Sequence, residues 1–592
     1  MKKRLFCLLL CLLMVLPAVL MTGCADDGEI TAAIEGSSIK ALTLTLYSIT
    51  NENTTEEAIA AVQDAINEIT EREFNTHIIL RLFPEEEYSK LIMEKISAIE
   101  ERLRKEEAED AARKVAQKAA KAAGVTTPAA TTEESTTDET EETQLNEYGL
   151  PVTVYPEEDG DQLDIFLIDS LEMYNECYNA GVLSALDEEL SVNSKAIRKY
   201  VAPALLDYIR KEGATYAIPN NHIVGEYQFL LLNRELIDKY AFDPDSITAV
   251  GSADFKDYIN IVSAKEKDYV PMLNRYELPL FYPSADCAPV LGSYVSDTSA
   301  MNLYSPKNVL GIRQYKNLNS MMYGYEQDGI LKTGSLEDGG KYASAIIKGD
   351  YSLKEKYEED YYVVTLTKPV YTNEEVFGSM YAVGTYTKSV SRCMEVITYL
   401  TTNEQLRNTF QYGVEGTHYT RDEDGLVHVI SNDYSMDSRY TGNVFKLWPS
   451  DQMSDSMRAL AANDWEIGKL HNLNYGVGPY LGFSLSLVDQ EVKETKSSSD
   501  EEGTGEVVEY MGIQEIMDGL AELNAYVEKK LADFKPYTDE DGNFIDAEAF
   551  IQLLADEIDS NEYFIQATDK ENINSPAGQY NNWYSELYGG GE

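Results

Sequence analysis

The sequence predicts an α/β protein with two or more cores. Three observations carry this. Residues 41–96 switch twice between strand and helix periodicity, and such βαβα order builds a parallel sheet covered by helices. The run 227–232, Tyr-Gln-Phe-Leu-Leu-Leu, is almost wholly apolar, as a strand buried on both faces must be. At 592 residues the chain also exceeds what one core fills.

Taken in order, Lys2, Lys3 and Arg4 precede an apolar run at 5–20. That pattern is a targeting segment, 1–23, too short to span a membrane comfortably. Its end, Met21-Thr22-Gly23-Cys24, resembles the lipobox of bacterial lipoproteins, with Met21 where Leu is usual. The resemblance implies that Cys24 is the first mature residue and carries the lipid anchor. Residues 24–39 are polar and read as a tether.

In 41–47, Leu42, Leu44 and Leu46 alternate with Thr43 and Thr45, which is a strand; 48–53 is its exit loop. Thr54-x-x-Glu57 reads as a capping box, and Ile59, Val62, Ile66 and Ile69 follow at helical spacing. Residues 76–83 form a second strand, and Tyr88, Leu91, Ile92 and Ile96 a second helix. From 100 to 123 the chain is charged and Ala-rich, a solvated extension. Residues 126–143 are Thr/Glu/Pro-rich and cannot bury a core, so 105–148 is an insertion. The fold resumes with a buried strand at 163–169. Open α/β sheets bind ligands beyond the carboxyl ends of their strands, which singles out Ser48 and Asn51 after the first strand, although a surface loop would read the same. Asp169 and Ser170 end the later strand, where Asp169 would equally serve as a helix N-cap.

The crossing of the chain comes at 216–236. A strand stops at Pro219, which has no donor for a ladder. A polar loop, 220–225, leads into the apolar strand, and Asn233-Arg234-Glu235-Leu236 opens a helix ending near Tyr240. A Tyr-x-x-Pro strand followed by an apolar strand ending in Leu-Asn-Arg-Glu-Leu resembles the lobe crossing of bacterial extracellular solute-binding proteins, the family with the sugar-binding components of ABC importers. The Asp-Ile strand at 164–165 followed by Gly181-Val182-Leu183-x-x-Leu186-Asp187 is similar to the same family. So are Tyr412-Gly413-x-Glu415-Gly416-x-x-Tyr419, 478–483 and the closing Gly578-Gln579-Tyr580-Asn581-Asn582-Trp583-Tyr584. The resemblance covers most of the chain from residue 41 on, outside two insertions.

It implies a two-lobe periplasmic-binding-protein-like fold of type II, with crossing strands as hinge and a ligand cleft between lobes. One lobe is expected from 40–225 plus 360–420, the other from 226–359 plus 421–592, with a polar insertion at 493–506. The function implied is that of a monomeric, membrane-anchored lipoprotein outside the cell, which captures a small solute, in the first place a sugar or oligosaccharide, and delivers it to an ABC permease. A secreted carbohydrate-active enzyme, or a sensor or adhesin of the same fold, are the competing readings.

The contacts expected at the cleft are Ser48, Asn51, Asp169 and Ser170 from one lobe, Asn220, Asn221, Glu226 and Tyr227 at the crossing, and Asp350, Tyr351, Trp465 and Tyr475 from the other lobe. Glu226 has a physical case of its own. A carboxylate only accepts, which suits a ligand rich in hydroxyl donors, and an aromatic neighbour such as Tyr227 stacks on a sugar face. The competing role for Glu226 is an ion pair with Lys or Arg at the hinge. The glycine-rich turn at 412–419 reads first as structural, with Glu415 tying backbone donors.

Composition excludes other classes. The formal net charge of −53 opposes nucleic acid as a partner, since phosphate binding needs clustered Lys and Arg. Tyr is abundant, 42 against 3 Trp, which suits sugar stacking and also fits compositional drift. Beyond Cys24 only Cys177, Cys287 and Cys393 remain, too few and too scattered for a disulfide framework or a zinc site. No nucleophile elbow, metalloprotease or phosphate-loop signature occurs, so no catalytic residue, cofactor or metal is assigned. Tyr537-x-Asp539-x-Asp541-Gly542 with Glu548 imitates a calcium loop, but Tyr stands where Asp is needed, and a hairpin turn fits better. Asp424-Gly425 is expected to turn a second hairpin.

Overall fold

The computed structural model describes residues 40–122, 153–294, 305–473, 475–490 and 510–588. The chain divides into two units, Met1–Lys40 and Ala41–Glu592; of the first, only Lys40 is among the described residues. The targeting segment, Cys24, the tether, the Thr-rich part of the first insertion and the polar insertion at 493–506 lie outside them.

Two five-stranded sheets organise the second unit. Their strands in chain order are β1 (Leu42–Thr50), β2 (Thr76–Pro84), β3 (Ile165–Ile168), β4 (Ala217–Pro219), β5 (Tyr227–Asn233), β6 (Met272–Leu273), β7 (Leu331–Lys332), β8 (Ser344–Gly349), β9 (Tyr361–Thr367) and β10 (Met380–Val383). The first sheet has the order β2-β1-β3-β10-β4, the second β7-β6-β8-β5-β9. In the first, β1 runs parallel to β2 and β3, and β10 is antiparallel to both β3 and β4. In the second, β5 is antiparallel to β8 and β9, while β6 is parallel to β7 and β8.

The first sheet forms as its periodicity requires. Helix Glu56–Phe74 lays Val62, Ile66 and Ile69 on it, and Asn67 on the same face exchanges two bonds with Ile78, at 2.6 and 3.0 Å. The helix cap differs from the sequence reading. Thr55 accepts from Ala58 N at 3.2 Å, whereas the Thr54 hydroxyl meets that of Thr50 at 2.6 Å. The next helix, Glu85–Ala122, buries Tyr88, Ile92, Ile96 and Ile99 and then leaves the core, exposed from Glu101 through Val115. The Tyr88 hydroxyl fills the gap between β1 and β3, donating to Leu167 O at 2.9 Å and accepting from Leu167 N at 2.8 Å. Asp164, at the opposite edge from the strand carboxyl ends, gathers Thr45 N, Gln162 and Thr387 at 2.5–2.8 Å, and burial pushes its carboxyl above the usual range.

β5 is buried on both faces, as its sequence demands. Leu230 and Leu232 join a core with Phe255, Tyr258 and Ile259 from helix Ala253–Lys265, while Leu231 packs on the other side with Leu273 and Ala345. Each fully buried Leu is worth about 1.5–3 kcal/mol. A further core seats the C-terminal helices Ile513–Asp533, Ala547–Asp559 and Glu562–Thr568 on Cys287, Leu291 and Val309.

The expected boundary at 421 is not where the cores divide. Tyr434, Met436, Tyr440 and Leu481 belong to the core of the first sheet, and Tyr412 and Tyr419 share a core with Val427, Phe445 and Trp465. The chain thus returns to the first sheet's side after 421, because Thr54, Asn51 and Ser48 bond to backbone or side chains at 435–440. At 412–419 the turn is structural, but His418, not Glu415, ties it: Val414 N donates to His418 Nδ1 at 2.9 Å, and Glu415 is exposed. Burial pushes the His418 imidazole down from its ordinary range. Both expected hairpins form, Tyr419–Arg421 with Val427–Val429 and Tyr537–Thr538 with Phe544–Ile545.

The three cysteines of the described residues are free and buried. Burial raises the Cys177 thiol to about 12 and moves those of Cys287 and Cys393 upward as well. No helix among the described residues is long and apolar enough to cross a membrane.

Candidate functional site

Strand direction decides where a ligand can meet both sheets. In the first sheet β1, β2, β3 and β4 end at one edge, carrying Asn51, Asp169–Ser170 and Asn220. In the second, β6, β7, β8 and β9 end at one edge, carrying Asn274, Thr333, Asp350–Tyr351 and Lys368, and β5 begins there with Glu226 before it. The crossing 220–226 leaves the first edge and enters the second. A second crossing leaves β9 through Pro369, and Val370–Tyr371 then pairs in parallel with Gly476–Val477. Both edges therefore border the same junction, as the rule of ligands beyond strand carboxyl ends requires.

The junction is built from polar clamps on the crossing backbone. Glu375, in the short helix Asn373–Phe377, accepts from Gly225 N at 3.0 Å and lies 2.9 Å from His222 Nε2, whose Nδ1 faces Asn220 O at 3.1 Å. Asn472 accepts from Val224 N at 3.1 Å and donates to His222 O at 2.6 Å. His471 is fully buried, its Nε2 is 2.8 Å from Val224 O, and its Nδ1 accepts from Tyr351 N at 3.2 Å. One acceptor and one donor fix the neutral tautomer with the proton on Nε2, and burial holds its pKa below the ordinary histidine value. Gly225 adopts φ 53°, and a Cβ there would come within 3.4 Å of Val370 N on the second crossing.

Against this frame the expected contacts divide. Ser48 is not in an exit loop. β1 continues through Thr50 because its ladder with β2 runs from Leu42–Thr76 to Thr50–Pro84. Ser48 is buried, donating to Tyr440 O at 3.1 Å, and cannot meet a ligand. Trp465 is 1% exposed, its indole N–H bound to Leu447 O at 3.0 Å; it is a core residue. Tyr227 is also buried, stacked on Phe229 and edge-on to Tyr351 and His471, with its hydroxyl unpartnered. Its ring offers no face to a sugar. Asn220 and Asn221 are scaffold. Asn220 donates to Ser379 Oγ at 2.9 Å, and Asn221 to Tyr200 O at 3.0 Å.

The others stand at the edges. Asn51 is exposed and donates to Ser435 Oγ at 2.7 Å. Asp169 is half-buried and accepts from Ser89 and Ser170 hydroxyls at 2.5 and 3.0 Å. The N-cap of helix Leu171–Asn179 is Ser170, accepting from Met173 N, so Asp169 is not the cap. Glu226 is exposed and makes no hydrogen bond or ion pair among the described residues, so the hinge ion pair is not formed. Asp350 accepts from Ser352 N at 2.8 Å and from the Ser456 hydroxyl. Tyr351 is half-buried beside it, and Tyr475 lies ring to ring with Tyr371 at 4.3 Å, half-buried in the second crossing.

Sequence reasoning missed Glu375, His471 and Asn472. For Glu375 a signal was present, Thr372 three residues before it in the capping arrangement, and Glu375 N indeed donates to Thr372 Oγ1. No cluster of three or more His, Cys, Asp or Glu among the described residues is arranged to hold a metal ion.

No protein-family profile matches the chain. A curated relative from Streptococcus pneumoniae serotype 4, named a carbohydrate ABC transporter substrate-binding protein, is 23% identical over 424 residues, covering 67% of this chain and 82% of the relative. Among solved structures the chain is similar to an N-glycan transport solute-binding protein from Streptococcus pneumoniae, at 16% identity and a TM-score of 0.48, covering 92% of this chain and 99% of that one. It is also similar to an HMO-binding, ABC-transporter-associated solute-binding protein from Bifidobacterium longum infantis, at 13% identity and a TM-score of 0.41, covering 93% and 99%. Those likenesses are loose, and the two-lobed fold stands on the sheets and crossings of this chain itself. The motif resemblance and the curated relative agree: the chain is similar to a substrate-binding protein of a carbohydrate ABC transporter, and its two sheets give it a two-lobed α/β architecture.

Proposed function

We propose that this protein captures a carbohydrate, in the first place an oligosaccharide, outside the cell and delivers it to an ABC permease while held at the membrane by a lipid on Cys24. The observation that carries the reading is the junction itself. Two α/β lobes meet at their strand carboxyl edges through paired crossings, and polar side chains stand free or half-buried on both edges. Asp169 and Ser170 on the first edge, and Glu226, Asp350 and Tyr351 on the second, are the residues we assign to the ligand. An exposed, unpaired carboxylate such as Glu226 accepts two hydroxyl donors without first breaking a bond. The first lobe is built on 41–220 and 370–447, the second on 226–368 with the C-terminal helices seated on it. The lobes close on ligand as rigid bodies about the clamped crossings. The curated relative's name supports carbohydrate as the solute class; the apolar run before Cys24 supports the anchor.

The test is a thermal-shift screen of the mature chain across neutral and acidic oligosaccharides, amino acids and peptides, followed by calorimetry and small-angle scattering on the hits. A saccharide that raises the melting temperature and reduces the radius of gyration supports the reading. Binding restricted to amino acids or peptides, or turnover of a saccharide, would replace it.

A further inference from the structure

A cavity of about 640 Å³ opens at the carboxyl edge of the second sheet, within the range of small-molecule sites. The end of β9 (Thr365–Thr367, then Lys368) forms one wall. The amino ends of helices Ala253–Lys265 and Arg313–Gln327 approach from the others, and Tyr276 and Tyr294 complete it. Its charge is unlike that of the chain. There are 102 acidic residues against 49 basic ones, yet the lining holds Lys256 and Lys368 and no Asp or Glu. Among the described residues, neither lysine has a carboxylate within ion-pair distance, and Glu226, which precedes β5 beside the end of β9, pairs with neither.

A neighbouring cavity of about 630 Å³ gives the contrast. Its three cations are all neutralised, Arg275 by Glu326 and Lys356 by Glu337, each at 2.7 Å, and Lys348 by Glu277. In a strongly acidic protein, cations without partners in a cavity free of acids are what an anion needs. The helix ends add to them. Helix Arg313–Gln327 starts after Ile312 with no side-chain cap, and Gln314 of its first turn lines the cavity. The positive end of its dipole favours negative charge there. Gln314 and Asn317 amides supply further donors.

We infer that this cavity receives the anionic group of a saccharide, a carboxylate or a sulfate ester, and that the preferred solutes are acidic oligosaccharides. This rests on the carbohydrate-binding reading above and deepens it: the neutral hydroxyls meet the acceptors at Glu226 and Asp169, and the anion meets Lys256 and Lys368. The net charge of −53 does not oppose it at close range, because salt screens surface charge beyond about 8 Å at physiological ionic strength.

The experiment is calorimetry on the mature chain with matched probes: a glucuronate-containing tetrasaccharide and its carboxyl-reduced counterpart, and a 6-sulfated tetrasaccharide and its unsulfated parent. Free glucuronate is titrated in parallel, read by lysine Nζ chemical shifts. The anionic member of at least one pair is expected to bind tenfold or more tightly, the pair identifying carboxylate or sulfate. The double variant Lys256→Met, Lys368→Met, with an unchanged melting curve, should lose that preference and keep the affinity for the neutral member. Equal affinity within both pairs, or a preference that survives in the double variant, overturns the inference and leaves carbohydrate binding standing. Glucuronate shifting the lysine signals while no tetrasaccharide binds keeps the anion cavity and overturns the oligosaccharide reading. Silence of all probes overturns both.

Discussion

Replacing Glu375 by Ala tests whether the crossing is held by that side chain. Glu375 and His222 are 24% and 17% exposed, so their contact is largely screened from water. The change removes two acceptors at once, from Gly225 N at 3.0 Å and from His222 Nε2 at 2.9 Å. A hydrogen bond to a charged group is worth roughly 1.5–3 kcal/mol, and partial solvation discounts the pair to about 2–3 kcal/mol together. Since about 1.4 kcal/mol is tenfold, protection of the backbone amide of Gly225 against hydrogen exchange should fall by roughly 30–150-fold. The global melting temperature should move by only a few degrees, because the two large cores are untouched. Glu375→Gln keeps an acceptor for Gly225 and should lose less than about tenfold. Exchange mass spectrometry on peptides spanning 220–226 reads this directly. Unchanged protection in Glu375→Ala, or equal losses in the Ala and Gln variants, would refute the clamp.

Three further outcomes are expected. Because burial lowers the His471 pKa from 6.5, its contribution to stability is fully present above pH 6.5 and is lost as pH falls through the folded-state value; urea midpoints measured against pH should fall below 6.5 less steeply in His471→Gln, and an identical profile would show that another group is responsible. Trp465→Ala should cost about 3–5 kcal/mol of stability, read by denaturant melts, whereas a loss of ligand affinity at constant stability would return Trp465 to the site. Glu226→Gln should weaken the cognate saccharide by about tenfold or more with an unchanged melting curve without ligand; calorimetry giving wild-type affinity would remove Glu226 from the cleft.

Much of the fold was legible because hydrophobic periodicity is a local signal. The alternation at Leu42, Leu44 and Leu46 and the helical spacing of Val62, Ile66 and Ile69 each report one face of one element. The site was less legible, since a side chain's exposure depends on distant partners. Ser48 looked like a loop residue until β2 extended the ladder past it, and Tyr227 looked like a stacking platform until Tyr351 and His471 covered its ring. Trp465 carried the chemistry of a sugar platform and the burial of a core residue. Glu226 fared differently. A carboxylate at the start of an apolar strand stands at the sheet edge, and it remained exposed there. Lys256 and Lys368 are far apart in sequence, and only the turn of β9 towards helix Ala253–Lys265 brings them to one cavity.

The burial of Cys177, Cys287 and Cys393 has a practical consequence. Thiolates are the reactive species, and all three thiols are buried, with burial moving each of them upward, away from ionisation at neutral pH. A polypeptide beginning near residue 41 therefore presents a surface silent to maleimide dyes. Cysteines placed deliberately, one at exposed Asn51 and one at exposed Glu337, would take a donor and an acceptor fluorophore without removing any native thiol, turning the molecule into an optical gauge of its own solute.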